Sequence, residues 1–412
     1  MCVSKFDGKI CYCFALAVKL GKLDWWYTLS KGGKCMISDR AKELHFSSVV
    51  VDAHCDSIIR TMDQQEDLSI ETSHGHLDIP RMKIGNVGCQ FFSCLVHPKY
   101  INEHRVIRRT MGMIDSIKTL CLRNPQTIEL ALSARHVRDL VSNGKRAAVI
   151  KLEGGHCIQG DLAVLRQYFD LGVRAMTLAW DNSNNWVDGI MDEPINRGLT
   201  LFGKDVIQEM NSMGMLVDVS HLSEDAFWDV MEMNEKPVIA SHSSAWSICK
   251  HPRNLKDEQI KAISKSGGVI CVNFACDLIS EDFRQHLALL KQDEFGELDE
   301  IARIYSDDHE AMEGALEGLQ IRTSQLSNNA HVTPSYVEII DHIEYIIGLV
   351  GSEHVGLGSS FDGSLYLPYG LEDCTKLPLI TEELMRRGHS VDTISGILGR
   401  NILRVMEDVI GS

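Results

Sequence analysis

Residues 46–54 read FSSVVVDAH, an apolar run of valines that ends on an aspartate, an alanine and a histidine. β-Branched valines favour a strand, and the polar residues gather at its carboxyl end. The same build recurs in CQFFSCLV (89–96), RAAVIKLEGG (146–155), VRAMTLAW (173–180), GMLVDVSH (214–221), KPVIASHS (236–243), GGVICVNF (267–274) and HVGLGSS (354–360). Helical patterns separate them, among them 101–121, 200–214 and 223–234. Parallel strands need crossover helices, and eight such units suffice to close a (β/α)8 TIM barrel, an α/β fold. An open doubly wound sheet is the competing arrangement, and the strand count favours the barrel.

A chain of 412 residues accommodates one such barrel with elaborations. We expect an amino-terminal extension over 1–35 and a barrel over 36–412. Residues 277–329 follow the seventh strand as charged helical text without a strand, either a cap over substrate or an inert or oligomer-forming insertion. The run ICYCFALAVKL (10–20) is short, is broken by Lys19 and lacks a small-x-small cleavage site. We therefore expect no membrane span and a cytoplasmic protein, with secretion as the alternative if this segment is a functional signal. Gly144, Gly172, Gly214 and Gly268 fall where helices turn into strands, which suits turns rather than a phosphate loop.

Hydrophobic residues make up 44% and charged residues 24% of the chain, an ordinary globular balance. Lys and Arg number 41 against 57 Asp and Glu, a net charge of −16, and no long basic run offsets it. That excludes nucleic acid as the expected partner. The 13 cysteines show no paired CxxC spacing, so reduced thiols are the plainer expectation.

The chemistry sits at the strand ends. In VDAHCDS (51–57), residues two apart in a strand share a side, so His54 and Asp56 can offer a nitrogen and an oxygen to one metal. The competing account is a strand-end histidine beside a helix-capping aspartate. Glu153 ends the strand of KLEGGH (151–156), and its two oxygens can bridge two cations; a surface carboxylate before a flexible turn fits the same letters. His221 and His242 each end another apolar strand. Barrel chemistry draws its residues from several strand ends into one cleft, so the repeated placement favours a metal site. Two divalent ions sharing Glu153 would activate water and polarise an amide carbonyl. Zinc suits the donors, with manganese, cobalt or iron as alternatives. Arg253, in HPRN (251–254), is either a fork for a substrate carboxylate or an ordinary ion-pair partner.

Taken together, VDAHCDS, KLEGGH, LVDVSHLS (216–223), ASHSSA (240–245), HPRN and HVGLGSSFDG (354–363) resemble the membrane or renal dipeptidases, metallopeptidase family M19, from about Val49 onward. The resemblance implies a barrel, a homodimer and hydrolysis of dipeptides at a binuclear zinc centre. It assigns His54 and Asp56 to one zinc, Glu153 to both, His221 and His242 to the other, and Arg253 to the substrate's terminal carboxylate. Two positions depart from the family pattern. Trp180, in LAWDNSNNWVDG (178–189), stands where the best-characterised animal enzymes have a substrate-contacting histidine, and Ser360 stands where the family has an aspartate.

That aspartate would handle the proton of the water, and a serine is a poor base at neutral pH. Asp362 is the expected substitute, with Ser360 orienting water and Asp181 as a further contributor. Trp180 and His156 are expected at the substrate, although a loop hydrogen bond also explains His156. Trp186 suits either a pocket wall or the core. The expected function is a metallodipeptidase acting on a dipeptide or similar small carboxylate-bearing amide. The alternatives are an N-acyl amino acid or lactone hydrolase, or a catalytically impaired protein that binds metal and a small ligand.

Overall fold

The computed structural model describes residues 37–102, 105–289 and 333–411. The expected extension over 1–35 lies outside the described residues, as does most of 277–329. Nine strands follow in chain order: β1 (Val50–Cys55), β2 (Val87–Leu95), β3 (Ile128–Leu130), β4 (Arg146–Glu153), β5 (Val173–Thr177), β6 (Leu216–Asp218), β7 (Ile239–Ala240), β8 (Val269–Val272) and β9 (Val355–Leu357). They pair in the order β2-β1-β9-β8-β7-β6-β5-β4-β3, and a further pairing of β2 with β4 closes the ring. The result is a parallel eight-stranded barrel with β3 outside it. β2 takes one edge of β4 from Ala147 to Glu153, so β3 and β5 share the other, β3 at Arg146–Ala148 and β5 from Ile150 onward.

Each predicted strand segment contributes a barrel strand, and β3 is the addition. Alternation along β4 puts Ala147, Val149, Lys151 and Glu153 on one face. Ala147 and Val149 join Val51, Cys89, Phe91, Ala175, Leu216 and Ile239 in a buried apolar cluster, while Lys151 and Glu153 continue the face as buried polar groups. Ile402, Val405 and Met406 of the last helix, Asn401–Ile410, complete that cluster. Apolar filling therefore gives way to polar groups toward the carboxyl end of the strand, where barrel sites are built.

The crossover helices begin and end where local chemistry requires. Thr200 caps Leu201–Met213 by accepting a hydrogen bond from the Gly203 N–H, and Gly214 ends it in the left-handed conformation at φ 76°. Ser223 caps Glu224–Met233, with Glu224 and Asp225 in the first turn. No helix among the described residues is long and apolar enough to cross a membrane.

Candidate metal centre

The two oxygens of Glu153 face two groups of side chains. On one side, His54 Nε2 lies 3.4 Å from Glu153 Oε2 and 3.1 Å from Asp56 Oδ2. On the other, the Nε2 atoms of His221 and His242 lie 3.1 and 3.5 Å from Glu153 Oε1 and 2.8 Å from one another. All five side chains are buried, and His54, Glu153 and His242 offer donor atoms within 4.8 Å of one another. His221 follows the end of β6 with φ 69°, a conformation uncommon for a residue with a Cβ. Asp56 does not cap the next helix: Ser57 holds the cap position of Ile58–Asp63, and no side chain caps it.

Two features of this cluster fit a cation. Asp56 Oδ1 is buried without a hydrogen-bond partner, and a carboxylate oxygen left so is costly. His221 Nδ1 lies 2.8 Å from Asp181 Oδ1, and since a carboxylate only accepts, that nitrogen carries the ring proton. In the neutral ring His221 Nε2 then aims a lone pair at a carboxylate oxygen, an arrangement that a metal ion or a further proton relieves. Burial alone would raise the Glu153 carboxyl, but His54, His221 and Lys151 around it hold it well below the usual range. Burial, followed by His54 and Lys151, pushes His242 well below the usual imidazole range, leaving it neutral as a ligand must be. Burial raises Asp56, and His54 beside it offsets only part of that.

Several supporting residues escaped the sequence reading. Ser93 donates to Glu153 Oε2 at 2.6 Å. Lys151, fully buried, pairs with Asp218 at 3.0 Å. Burial would raise Asp218, yet Lys151 and the hydroxyls of Ser241 and Thr177 outweigh it and hold the carboxyl low. The available clue was strand alternation, because Lys151 stands two residues before Glu153 and Asp218 ends β6.

A cavity of about 350 Å³ opens onto the cluster, and its wall includes Trp180, Asp181, Arg253, Asn273, Asp277, Ser360 and Tyr366. Arg253 is buried, with Nε 3.7 Å from Asp181 Oδ1. Trp180 sits beside His97, ring centroids 5.9 Å apart. Leu278 and Leu287, from the described start of the 277–329 segment, also face the cavity. Gly363 lets the Ser360 loop approach, since a Cβ there would fall 2.0 Å from Asp56 Oδ2.

Two expected site residues do not line this cavity. Asp362, the expected proton carrier, accepts hydrogen bonds from Ser57 Oγ at 2.5 Å, Arg60 Nη1 at 2.8 Å and the His76 N–H at 2.7 Å. Left-handed φ values of 57° at Ser360 and 64° at Asp362 bend the loop, and Asp362 is held by the Arg60 network while Ser360 lines the cavity. His156, expected at the substrate, instead hydrogen-bonds the Val96 carbonyl through Nε2 at 2.7 Å. Trp186 is core: it is fully buried, with Nε1 3.3 Å from the Gly155 carbonyl oxygen.

The family model for membrane dipeptidase (peptidase family M19) matches residues 38–410. The chain belongs to the membrane dipeptidase family. It is 31% identical over 370 residues to Dipeptidase 3 of Rattus norvegicus, covering 87% of this chain and 65% of the rat protein, so it spans just under two thirds of that relative. An uncharacterized dipeptidase of Schizosaccharomyces pombe is 32% identical, over 90% of this chain and 83% of the yeast protein. The fold matches the crystal structure of the probable dipeptidase PvdM from Pseudomonas aeruginosa with a TM-score of 0.77 at 23% identity, covering 90% of this chain and 98% of that one. Trp180 and Ser360, the two positions at which the resemblance marked a departure, both lie on the cavity wall.

Proposed function

We propose that this chain is a metal-dependent dipeptidase that hydrolyses the amide bond of small dipeptides. The observation that carries the proposal is the convergence of His54, Asp56, His221 and His242 on the two oxygens of Glu153 beside a cavity walled by Arg253. Glu153, His221 and His242 would hold one divalent ion, and His54, Asp56 and Glu153 a second, with zinc best matched to imidazole and carboxylate donors. When bound, such ions supply an acidified water and a Lewis acid for the scissile carbonyl.

The chain's own groups do the rest. Arg253 offers a planar fork to the substrate carboxylate. Asp181 orients His221 through Nδ1, and its side chain, 44% exposed on the cavity wall, is a carboxylate that can take a proton there. The Ser360 hydroxyl can hold a water by hydrogen bonding but cannot deprotonate it at neutral pH.

A second reading, a metal and small-ligand binding protein with impaired turnover, is favoured by the same wall: Ser360 occupies it, and Asp362 is bound by Arg60. Metal analysis paired with kinetics on L,L and L,D dipeptides, N-acyl amino acids and lactones separates the two. We expect two divalent ions per chain at saturating metal and measurable amide hydrolysis. Retained metal without turnover on any substrate selects the binding protein. A chain unable to bind zinc, manganese or cobalt removes both readings.

A further inference from the structure

Lys151 brings a fixed positive group up against one half of the metal centre. Its Nζ, fully buried, lies 2.7 Å from His54 Nδ1, 2.8 Å from Ser241 Oγ, and 3.0 Å from both Thr177 Oγ1 and Asp218 Oδ2. An ammonium has three protons to give and no lone pair with which to receive one. Its three protons serve four neighbours, and the shortest contact, to His54 Nδ1, is one in which Lys151, paired with the buried Asp218 carboxylate, can only be the donor.

That direction decides which face of His54 is usable. A neutral imidazole that accepts at Nδ1 carries its proton on Nε2. His54 Nε2 accordingly meets acceptors, Asp56 Oδ2 at 3.1 Å and Glu153 Oε2 at 3.4 Å, and is a donor where a metal needs a lone pair. His221 has the opposite arrangement. Its outer nitrogen gives its proton to Asp181 at 2.8 Å, so in the neutral ring Nε2 has its lone pair for an ion beside Glu153 Oε1. Metal-binding histidines typically give their outer N–H to a carboxylate or carbonyl. His221 has such a partner, whereas His54 has a cation, whose charge also repels any ion placed on the far side of the ring.

Resting on the metal-dependent reading above, we infer that the two halves of the centre load unequally. Glu153, His221 and His242 take the first ion tightly. Lys151 keeps His54 and Asp56 in a hydrogen-bonded form that takes the second ion weakly. Lys151 is thus a positioning residue that sets the metal stoichiometry.

The test is stepwise binding of Zn2+ and Co2+ to chelator-treated full-length protein by calorimetry, with metal content measured after gel filtration in metal-free buffer. For the wild type we expect one retained ion and a second step about 10- to 100-fold weaker than the first. Lys151→Gln keeps an amide donor for Asp218 and offers a carbonyl oxygen to a proton on His54 Nδ1. It should strengthen the second step relative to the first by about tenfold or more and raise the retained metal to two ions. Lys151→Met combined with Asp218→Asn removes both charges of the buried pair together and should act in the same direction. Two equal steps in the wild type, or folded variants that still retain one ion, overturn the inference and leave the metal-dependent reading standing. Wild-type protein that binds no ion overturns both.

Discussion

Asp181 Oδ1 lies 2.8 Å from His221 Nδ1 and 3.7 Å from Arg253 Nε, so one oxygen joins a proposed metal ligand to the proposed substrate anchor. Burial would raise this carboxyl, but the hydrogen bond and charge of His221, followed by Arg253, hold it below the ordinary carboxylate value. Losing such a partner commonly weakens metal binding by 10- to 100-fold. Asp181→Ala should therefore weaken the tighter metal step by about that factor, and Asp181→Asn, which keeps an oxygen acceptor, by less. Chelator competition measures both. Equal affinity in Asp181→Ala and the wild type would rule out an orienting role.

Arg253 should reveal itself through substrate affinity. Its guanidinium is buried at the cavity wall, where a charge-assisted hydrogen bond to a carboxylate is worth about 2 kcal/mol, roughly 30-fold. Arg253→Met should raise KM for a dipeptide by about that factor while changing kcat less. The same dipeptide with an amidated carboxyl terminus should lose little further. Comparable losses on the two substrates would show that Arg253 does not hold the carboxylate.

Ser360→Asp tests the proton pathway. The residue adopts φ 57°, a left-handed conformation that aspartate tolerates, so the exchange needs no change in the loop backbone. A positioned general base contributes about 100-fold or more, and a rise in kcat toward that size with unchanged metal content is the expected result. Unchanged turnover in a folded, metal-loaded variant would show that a missing base at this position is not what limits the chain.

His342 makes acid stability depend on a residue outside the centre. It is fully buried, accepts from the Ala245 N–H at 3.0 Å and, through Nε2, donates to the Ile279 carbonyl at 3.0 Å. Burial lowers its pKa from 6.5 to about 4 despite the bond to Ile279. The unfolded chain therefore binds the proton first. The stabilisation is complete above pH 6.5 and is lost as the pH falls toward 4, by roughly 3 kcal/mol over that window. Urea unfolding of chelator-treated wild type and His342→Gln at several pH values should give a shallower acid slope for the variant. Parallel slopes would contradict the assignment.

Much of the fold was legible because its causes are local. The barrel strands announce themselves as apolar runs with polar carboxyl ends, and Leu201–Met213 carries both its threonine cap and its terminal glycine. β3 escaped because three residues, Ile128–Leu130, cannot display a period. The convergence of His54, Asp56, Glu153, His221 and His242 was also legible, since parallel strands closed into a barrel bring their carboxyl ends to one rim.

Other properties depended on distant partners. Asp362 falls to Arg60, a residue far earlier in the chain, and His156 to the Val96 carbonyl. Lys151 acquires its meaning only when β5, β6 and the end of β7 bring Thr177, Asp218 and Ser241 around it. The sequence alone determined the barrel and which strand ends supply its chemistry, because backbone preference and side-chain alternation act over a few residues. Only the tertiary structure decided which nitrogen of each histidine is free and which carboxylate reaches the cavity, because hydrogen-bond partners are chosen by barrel closure.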